Sequence, residues 1–271
     1  MSIRTDIQYK DGSIKVVDHD SGVDTRHTLP EVDRSDLLLS GKYGETWKEE
    51  AGGSDPAINA LADTQAGMSR SFNTLMELRE KQSPNLTQSQ HLDSLANDYD
   101  KAVNNYGSQM DRAVNYANNR LSEIDTEFKG HIGWSEKDAQ ELRSVIRNMS
   151  DNDKADFISS AVSTGDGQAL AAVLGSHPSL VGLTHDQQAS YRQRAIRSNA
   201  PKLAKLEETI AKARDTTRKT FLDFIERQDQ VTAKGVRDKY RQQAEEAAEA
   251  RKRATGGGSD ASESRWNMFT S

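Results

Sequence analysis

The sequence predicts a mainly α-helical protein, with long antiparallel helices, a cluster of short helices at one end and a small N-terminal β-hairpin segment. Three observations carry that expectation. Apolar residues recur from Leu92 through Tyr99, Tyr106, Ala113, Ala117 and Ile124 to Phe128 at a mean spacing of 3.6 residues, the repeat of a straight α-helix. Helix-start signals then crowd the stretch from Ser135 to Gln187, which suits short helices. Only 34% of the 271 residues are hydrophobic and 6% aromatic, with a mean hydropathy of −0.84; that is little material for a large compact core and favours an elongated or partner-supported molecule.

Taken in order, Ile7–Lys10, Asp11-Gly12 and Ser13–Val17 read as a hairpin, because Asp-Gly supplies the positive φ values of a tight two-residue turn. Residues 33–41 suit one helical turn or an anchoring loop, and Ala51-Gly-Gly-Ser-Asp55 is a joint. Asp55 before Pro56 starts a helix. Its apolar seam, Ile58, Leu61, Met68, Phe72 and Leu75 with the polar Gln65, steps by three and four residues, a coiled-coil pattern that asks for a helical partner. After Pro84 the long helix runs from about residue 88 to 129, with Gly107 as its weak point.

Lys129–Trp134 breaks that helix. Ser135 with Asp138, Ser150 with Asp153, Asp166, and Thr184 with Gln187 are the expected caps of four short helices. The densest apolar run, residues 164–184, lies among them, and its Leu170, Val173, Leu174, Leu180, Val181 and Leu183 are expected to form a hydrophobic hub with recognition on its exterior. Pro201 restarts a helix whose stripe from Leu203 through Phe224 to Val231 is expected to continue to Arg253. The segments expected are thus an arm over 1–53, long helices over 54–130, a short-helix cap over 131–199, a C-terminal helix over 200–254, and a Gly-rich linker with a terminal docking peptide over 255–271.

Charge is unevenly spread. The chain carries −6 overall, but residues 1–184 carry −11 and residues 185–254 carry +6. A uniformly basic nucleic-acid binder is excluded, and the positive C-terminal helix is expected against acidic surface of its own chain or of a partner. There are no cysteines, which excludes disulfides and thiolate metal sites. The N-terminal residues lack a basic segment followed by an apolar core, and no run reaches the length of a membrane span.

The pattern Gly165-Asp166, Leu170–Gly175, Pro178–Thr184, then Tyr191-Arg-Gln-Arg and Pro201-Lys-Leu-Ala resembles a loosely defined set of helical structural and morphogenesis proteins of tailed bacteriophages and prophages. The resemblance covers residues 134–206. It implies a virion setting, with other virion proteins (coat, portal or tail components) as partners, several copies or a homo-oligomer, and residence in the host cytoplasm during assembly and then in the virion. It implies no catalytic residue, cofactor or metal.

The residues themselves agree in offering no reaction. The six histidines form no metalloprotease pair, Asp151–Asp156 lacks the glycine and the glutamate of a calcium loop, and Gly165-Asp-Gly167 lacks the third glycine of a dinucleotide fingerprint. The expected partner-binding residues are Trp266, Met268 and Phe269 in the tail, with Tyr43 and Trp47 as further anchors, since aromatics dominate small contacts. Arg192, Arg194, Arg197, Arg251, Lys252 and Arg253 are the candidates for phosphate contact, with intramolecular pairing favoured over nucleic acid. The function expected is therefore a non-enzymatic virion structural or assembly protein that docks multivalently. The alternatives are a scaffolding protein absent from the mature particle and a nucleic-acid-binding internal virion protein.

Overall fold

A computed structural model of the chain describes residues 5–8, 14–17, 27–33, 38 and 43–255. The described protein is mainly helical. Its helices are α1 (Tyr43–Ala51), α2 (Pro56–Glu80), α3 (Gln88–His131), α4 (Ala139–Asn148), α5 (Asp151–Thr164), α6 (Gly167–Leu174), a 3₁₀ turn (Pro178–Leu180), α7 (His185–Asn199), α8 (Pro201–Glu226), α9 (Gln228–Val231) and α10 (Lys234–Ala254). Two short segments, β1 (Thr5–Gln8) and β2 (Ile14–Val17), align antiparallel with Thr5 opposite Val17. The Asp11-Gly12 turn expected between them lies outside the described residues, so the hairpin remains an expectation of the sequence. Most of the expected turn or loop over 33–41 lies outside them too; Leu38 is fully buried.

Two compact units share the chain, because α2 and α3 each contribute to both. The larger comprises residues 34–77 and 98–227. Within it α3 and α8 are antiparallel, as their paired residues run in opposite order. The Tyr99 ring stacks on Phe224 at 4.9 Å and its hydroxyl donates to the Phe224 carbonyl. Further along, Phe221 lies over Gly107, and Arg214 donates to the Asn118 side chain at 3.0 Å. Gly107 is therefore a packing site: a methyl there would come within 3.1 Å of the Phe221 ring.

α2 packs along α3 in the same antiparallel sense, from Asp55 beside Arg120 to Gly67 against Tyr106. All five apolar positions of its predicted seam are buried, as is Gln65. Asp55 has two tasks. Oδ1 accepts from the Ala57 N–H at 2.8 Å and caps α2, while Oδ2 accepts from Arg120 Nε at 3.0 Å. α1 packs on α8, and Lys212 pairs with Glu50 at 2.7 Å.

The short helices close around α6, whose Leu170 to Val173 are fully buried. Three of the four predicted caps form. The Ser150 hydroxyl accepts from Asp153 N–H, Asp166 accepts from the Gln168 and Ala169 N–H groups, and Thr184 with Gln187 makes a reciprocal capping box. The fourth does not: Asp138 enters α4 with φ 57° and no side-chain cap, and Ser135 accepts only from Lys137 N–H. Gly167 packs where a Cβ would sit 2.3 Å from the Ile132 carbonyl and 2.5 Å from that of Gly133. Asn199 ties the α7–α8 corner to α5, donating to the Val162 carbonyl at 2.8 Å.

The expected continuous helix from Pro201 to Arg253 is interrupted. α8 stops at Glu226, and α10 starts after Ala233, which adopts φ 48°. Left-handed alanine costs about 1–2 kcal/mol, and the burial of Val231, Thr232 and Ala233 at 0% exposure opposes that cost. Gly235, the glycine inside this stretch, is helical with open space around it.

The smaller unit comprises residues 1–33, 78–97 and 228–271. Here Gln88 grips the backbone of His27 from both sides, its amide accepting from His27 N–H and donating to His27 C=O at 2.9 Å each. The Tyr240 hydroxyl donates to the same Gln88 oxygen, and its ring meets His27 edge-on at 4.9 Å. Arg79 donates to the Pro30 carbonyl. Val32, Leu92, Leu95, Ala96, Val231, Ala233 and Val236 are its buried apolar residues among those described.

Two substitutions check these assignments. Gly167→Ala should destabilise the protein by about 2–3 kcal/mol, since the obstructing atoms are backbone and cannot swing aside. Asp55→Ala should cost about 2–3 kcal/mol, the sum of a lost cap and a semi-buried arginine left with fewer partners. Both are read from the urea midpoint followed by circular dichroism.

Candidate interaction surface

The short-helix cluster leaves two large apolar side chains exposed, Val145 and Leu180. On α4 the residues Ala139, Leu142, Val145, Ile146 and Met149 span an arc of about 120° at 100° per residue. Burial falls on one edge of that arc, where Ala139 is 2% exposed and Ile146 0%. At the other edge Val145 is 54% exposed, with Leu142 and Met149 half-buried between them. The 3₁₀ turn packs against α4 and leaves Leu180 44% exposed. Leu180 is thus not in the hub expected from sequence, because the turn directs Pro178 and Val181 inward and Leu180 out. Leu170, Val173 and Val181 are fully buried, and Leu174 and Leu183 pack partly buried against that core.

Two arginines of α4 lie on its other side, about 160° round from Val145 at 100° per residue, whereas Glu141 stands beside Val145. Arg143 Nε donates to the Ala172 carbonyl at 3.3 Å, and Arg147 is exposed. The signal for the patch was in the sequence: a 120° stripe is wider than one neighbouring helix of small residues can cover. Its meaning was not, because which edge is covered depends on where α6 lies.

The basic residues singled out from sequence are mostly engaged within the chain. Arg192 bridges three helices, donating to Asp125 of α3 at 3.0 Å and to Glu207 of α8 at 2.7 Å. Burial works against charging its guanidinium, but the Glu207 and Asp125 carboxylates outweigh burial and raise its pKa. Burial likewise opposes ionisation of Asp125, and hydrogen bonds from Lys129 and Arg192 hold its carboxyl below the ordinary range. The Lys129 ammonium also sits 5.1 Å from the Trp134 ring centre. Arg194 lies over Tyr191 at 5.6 Å, and Arg197 pairs with Glu208 at 3.6 Å. Arg253 pairs with Glu249 at 3.8 Å, while Arg251 and Lys252 are exposed on the last turn of α10.

The predicted aromatic anchors divide. Trp47 is 1% exposed in the core of the larger unit and stacks on half-buried Tyr43 at 5.8 Å. Its apolar surface is spent inside the chain, so it is not available to a partner as the sequence suggested. Trp266, Met268 and Phe269 lie outside the described residues.

His177 and His185, eight residues apart, meet edge-on at 5.1 Å, which no sequence spacing announced. Among the described residues no three His, Asp or Glu side chains gather as a metal site. Two clefts of the larger unit are small. One, lined by Asp125, Phe128, Trp134 and Arg192, holds about 140 Å³, and one, lined by Ile196, Arg197, Ala204 and Glu208, about 210 Å³; small-molecule sites begin near ~300 Å³. No described helix is long and apolar enough to cross a membrane. No family model matches the chain, and no curated protein or solved structure matches it.

The Asp125 cluster gives a pH prediction. A carboxylate whose folded pKa is depressed contributes stability above its unfolded value, about 3.9, and loses it as pH falls through the lower folded value. Asp125→Asn should therefore be less stable than the parent at pH 7, by about 1 kcal/mol after solvent screening. The difference should shrink towards pH 3, as read from paired urea titrations.

Proposed function

We propose that this chain is a non-enzymatic bacteriophage virion structural or assembly protein that works by docking to neighbouring subunits. The observation that carries the docking is the exposed apolar surface at Val145 and Leu180 on a charged helical protein. Apolar side chains left exposed on a charged surface are what a docking partner can cover. The virion setting comes from the resemblance of residues 134–206 to structural proteins of tailed phages. Coat, portal or tail components and further copies of the chain are the partners it implies.

The non-enzymatic reading is supported by what the titratable groups do. Asp55, Arg120, Asp125 and Arg192 spend their charges fastening one helix to another, and burial raises the pKa of the Tyr99 hydroxyl, which donates to the main chain. The N-terminal arm, read as a hairpin, and the aromatic tail supply the other contacts. Several weak contacts made by one molecule add steeply, because each one raises the effective concentration for the next.

Quantitative mass spectrometry of purified particles tests the reading. Presence at fixed stoichiometry in mature particles is the expected result. Presence in immature particles with depletion from mature ones moves the assignment to a scaffolding protein, and absence from both overturns it. A nucleic-acid role has one observation in its favour, the exposed Arg251 and Lys252, although cations there also suit the C-terminal end of a helix dipole. Duplex DNA in 20 mM salt should show no binding; binding that weakens steeply with added salt would establish phosphate contacts.

A further inference from the structure

We infer that His177 and His185 form an open, two-ligand site for a divalent ion that prefers imidazole, and that the bound ion clips the 3₁₀ turn to α7. The inference stands apart from the docking reading above.

Both histidines are exposed, so an ion reaches them without any rearrangement of the core. His177 caps the 3₁₀ turn, and His185 is the first residue of α7. Their ring centres lie 5.1 Å apart with the ring planes crossed at 85°. That separation suits two imidazoles sharing one ion. With a Zn–N bond of about 2.0–2.1 Å and a ring centre about 1.1 Å behind its nitrogen, two rings at the tetrahedral angle have centres about 5.1 Å apart. Crossed planes also keep the C–H groups beside the two ligating nitrogens clear of one another.

The backbone around the pair is already fixed. Gln188, three residues after His185, donates to the Val173 and Ser176 carbonyls at 2.8 Å each, which ties the first turn of α7 to the residue before His177. Between the two histidines, the Leu180 and Leu183 N–H groups donate to the His177 and Pro178 carbonyls at 3.0 Å each. Binding an ion therefore orders little more than two side chains, which keeps its entropic cost small.

The other nitrogen of His177 has a partner. Nδ1 lies 2.8 Å from the Ser179 hydroxyl oxygen. When Nδ1–H donates to that oxygen the lone pair is on Nε2, and a hydrogen bond of this kind orients a metal-binding imidazole. The longer contact, from Ser179 N–H to Nδ1 at 3.4 Å, belongs to the other tautomer. A bound ion selects the first.

The positive end of the α7 dipole opposes a cation near His185, and Asp186 in the same turn offsets it. Among the described residues no three His, Asp or Glu side chains gather, so water completes the coordination. Such a site takes Zn²⁺, Ni²⁺ or Cu²⁺ in preference to Mg²⁺ or Ca²⁺, which favour oxygen ligands. The role of the ion is structural: it closes the loop of residues 178–184.

The test is isothermal titration calorimetry of the full chain, free of any polyhistidine tag, with ZnCl₂ at about pH 7.5, above the ordinary imidazole pKa. The expected result is Zn²⁺ uptake without Mg²⁺ uptake. Affinity for Zn²⁺ should fall about tenfold or more in both His177→Ala and His185→Ala, since losing even an outer partner of a ligand costs about 10–100-fold. Saturating Zn²⁺ should raise the urea midpoint of the parent and leave that of each variant unmoved. Circular dichroism without metal checks that the variants fold; His177→Asn, which keeps a side-chain acceptor for the turn, replaces His177→Ala if that variant does not. No uptake up to about 1 mM Zn²⁺, equal binding of Mg²⁺, or an affinity that falls in one variant only or in neither, overturns the inference.

Discussion

Phe221 over Gly107 and Phe224 over Tyr99 fix the antiparallel seam of α3 and α8, and the larger unit depends on it. The aromatic end sets the register. Towards the other end the seam is held by charge, with Arg192 reaching from α7 to Asp125 and Glu207 on the two facing helices. Without that bridge two carboxylates would face one another across the same gap. The bridge also places α7, and through Asn199 the end of α5. The short helices are thus positioned from the seam outward.

A chain with so little apolar material has to satisfy polar groups inside its bundle. Thr209, Thr217 and Thr220 lie buried on α8, and each hydroxyl donates to a carbonyl of the preceding turn, at 2.8, 2.8 and 3.0 Å. Such back-bonding lets a polar residue occupy an interior position without an unmet donor. Asp55 solves a similar problem by capping a helix with one oxygen and pairing an arginine with the other. The hydrogen bond to Glu127 does most to raise the Arg120 pKa above its usual range, with Asp55 adding to it.

Local signals in the sequence carry through to the structure more fully than long-range ones. The α3 stripe, the α2 seam and the caps at Ser150, Asp166 and Thr184 depend on neighbours within four residues, and each appears in the structure. The Ser135 cap failed although its spacing was right, because Asp138 turns left-handed to enter α4. The break at Ala233 has no local marker, since burial in the smaller unit opposes its cost. Trp47 looked like an anchor because aromatics serve both cores and interfaces, and only the packing of α1 on α8 decides between them. For the surface, the width of the α4 stripe was legible, but the edge left uncovered was not.

The uncovered edge bears on how such a molecule could act. Singly exposed apolar residues are ordinary on any protein surface and need no explanation. Val145 and Leu180 belong to two elements that pack together, and each leaves apolar surface open to a ligand. Fully burying a valine or leucine is worth about 1.5–3 kcal/mol, and each of these has only about half its surface left to bury. The gain is therefore a few kcal/mol before the cost of association, too small to hold two molecules together alone. A contact of that strength remains reversible while subunits are finding their places. It becomes lasting only when the same molecule is held at a second point, which is the behaviour an assembly protein requires.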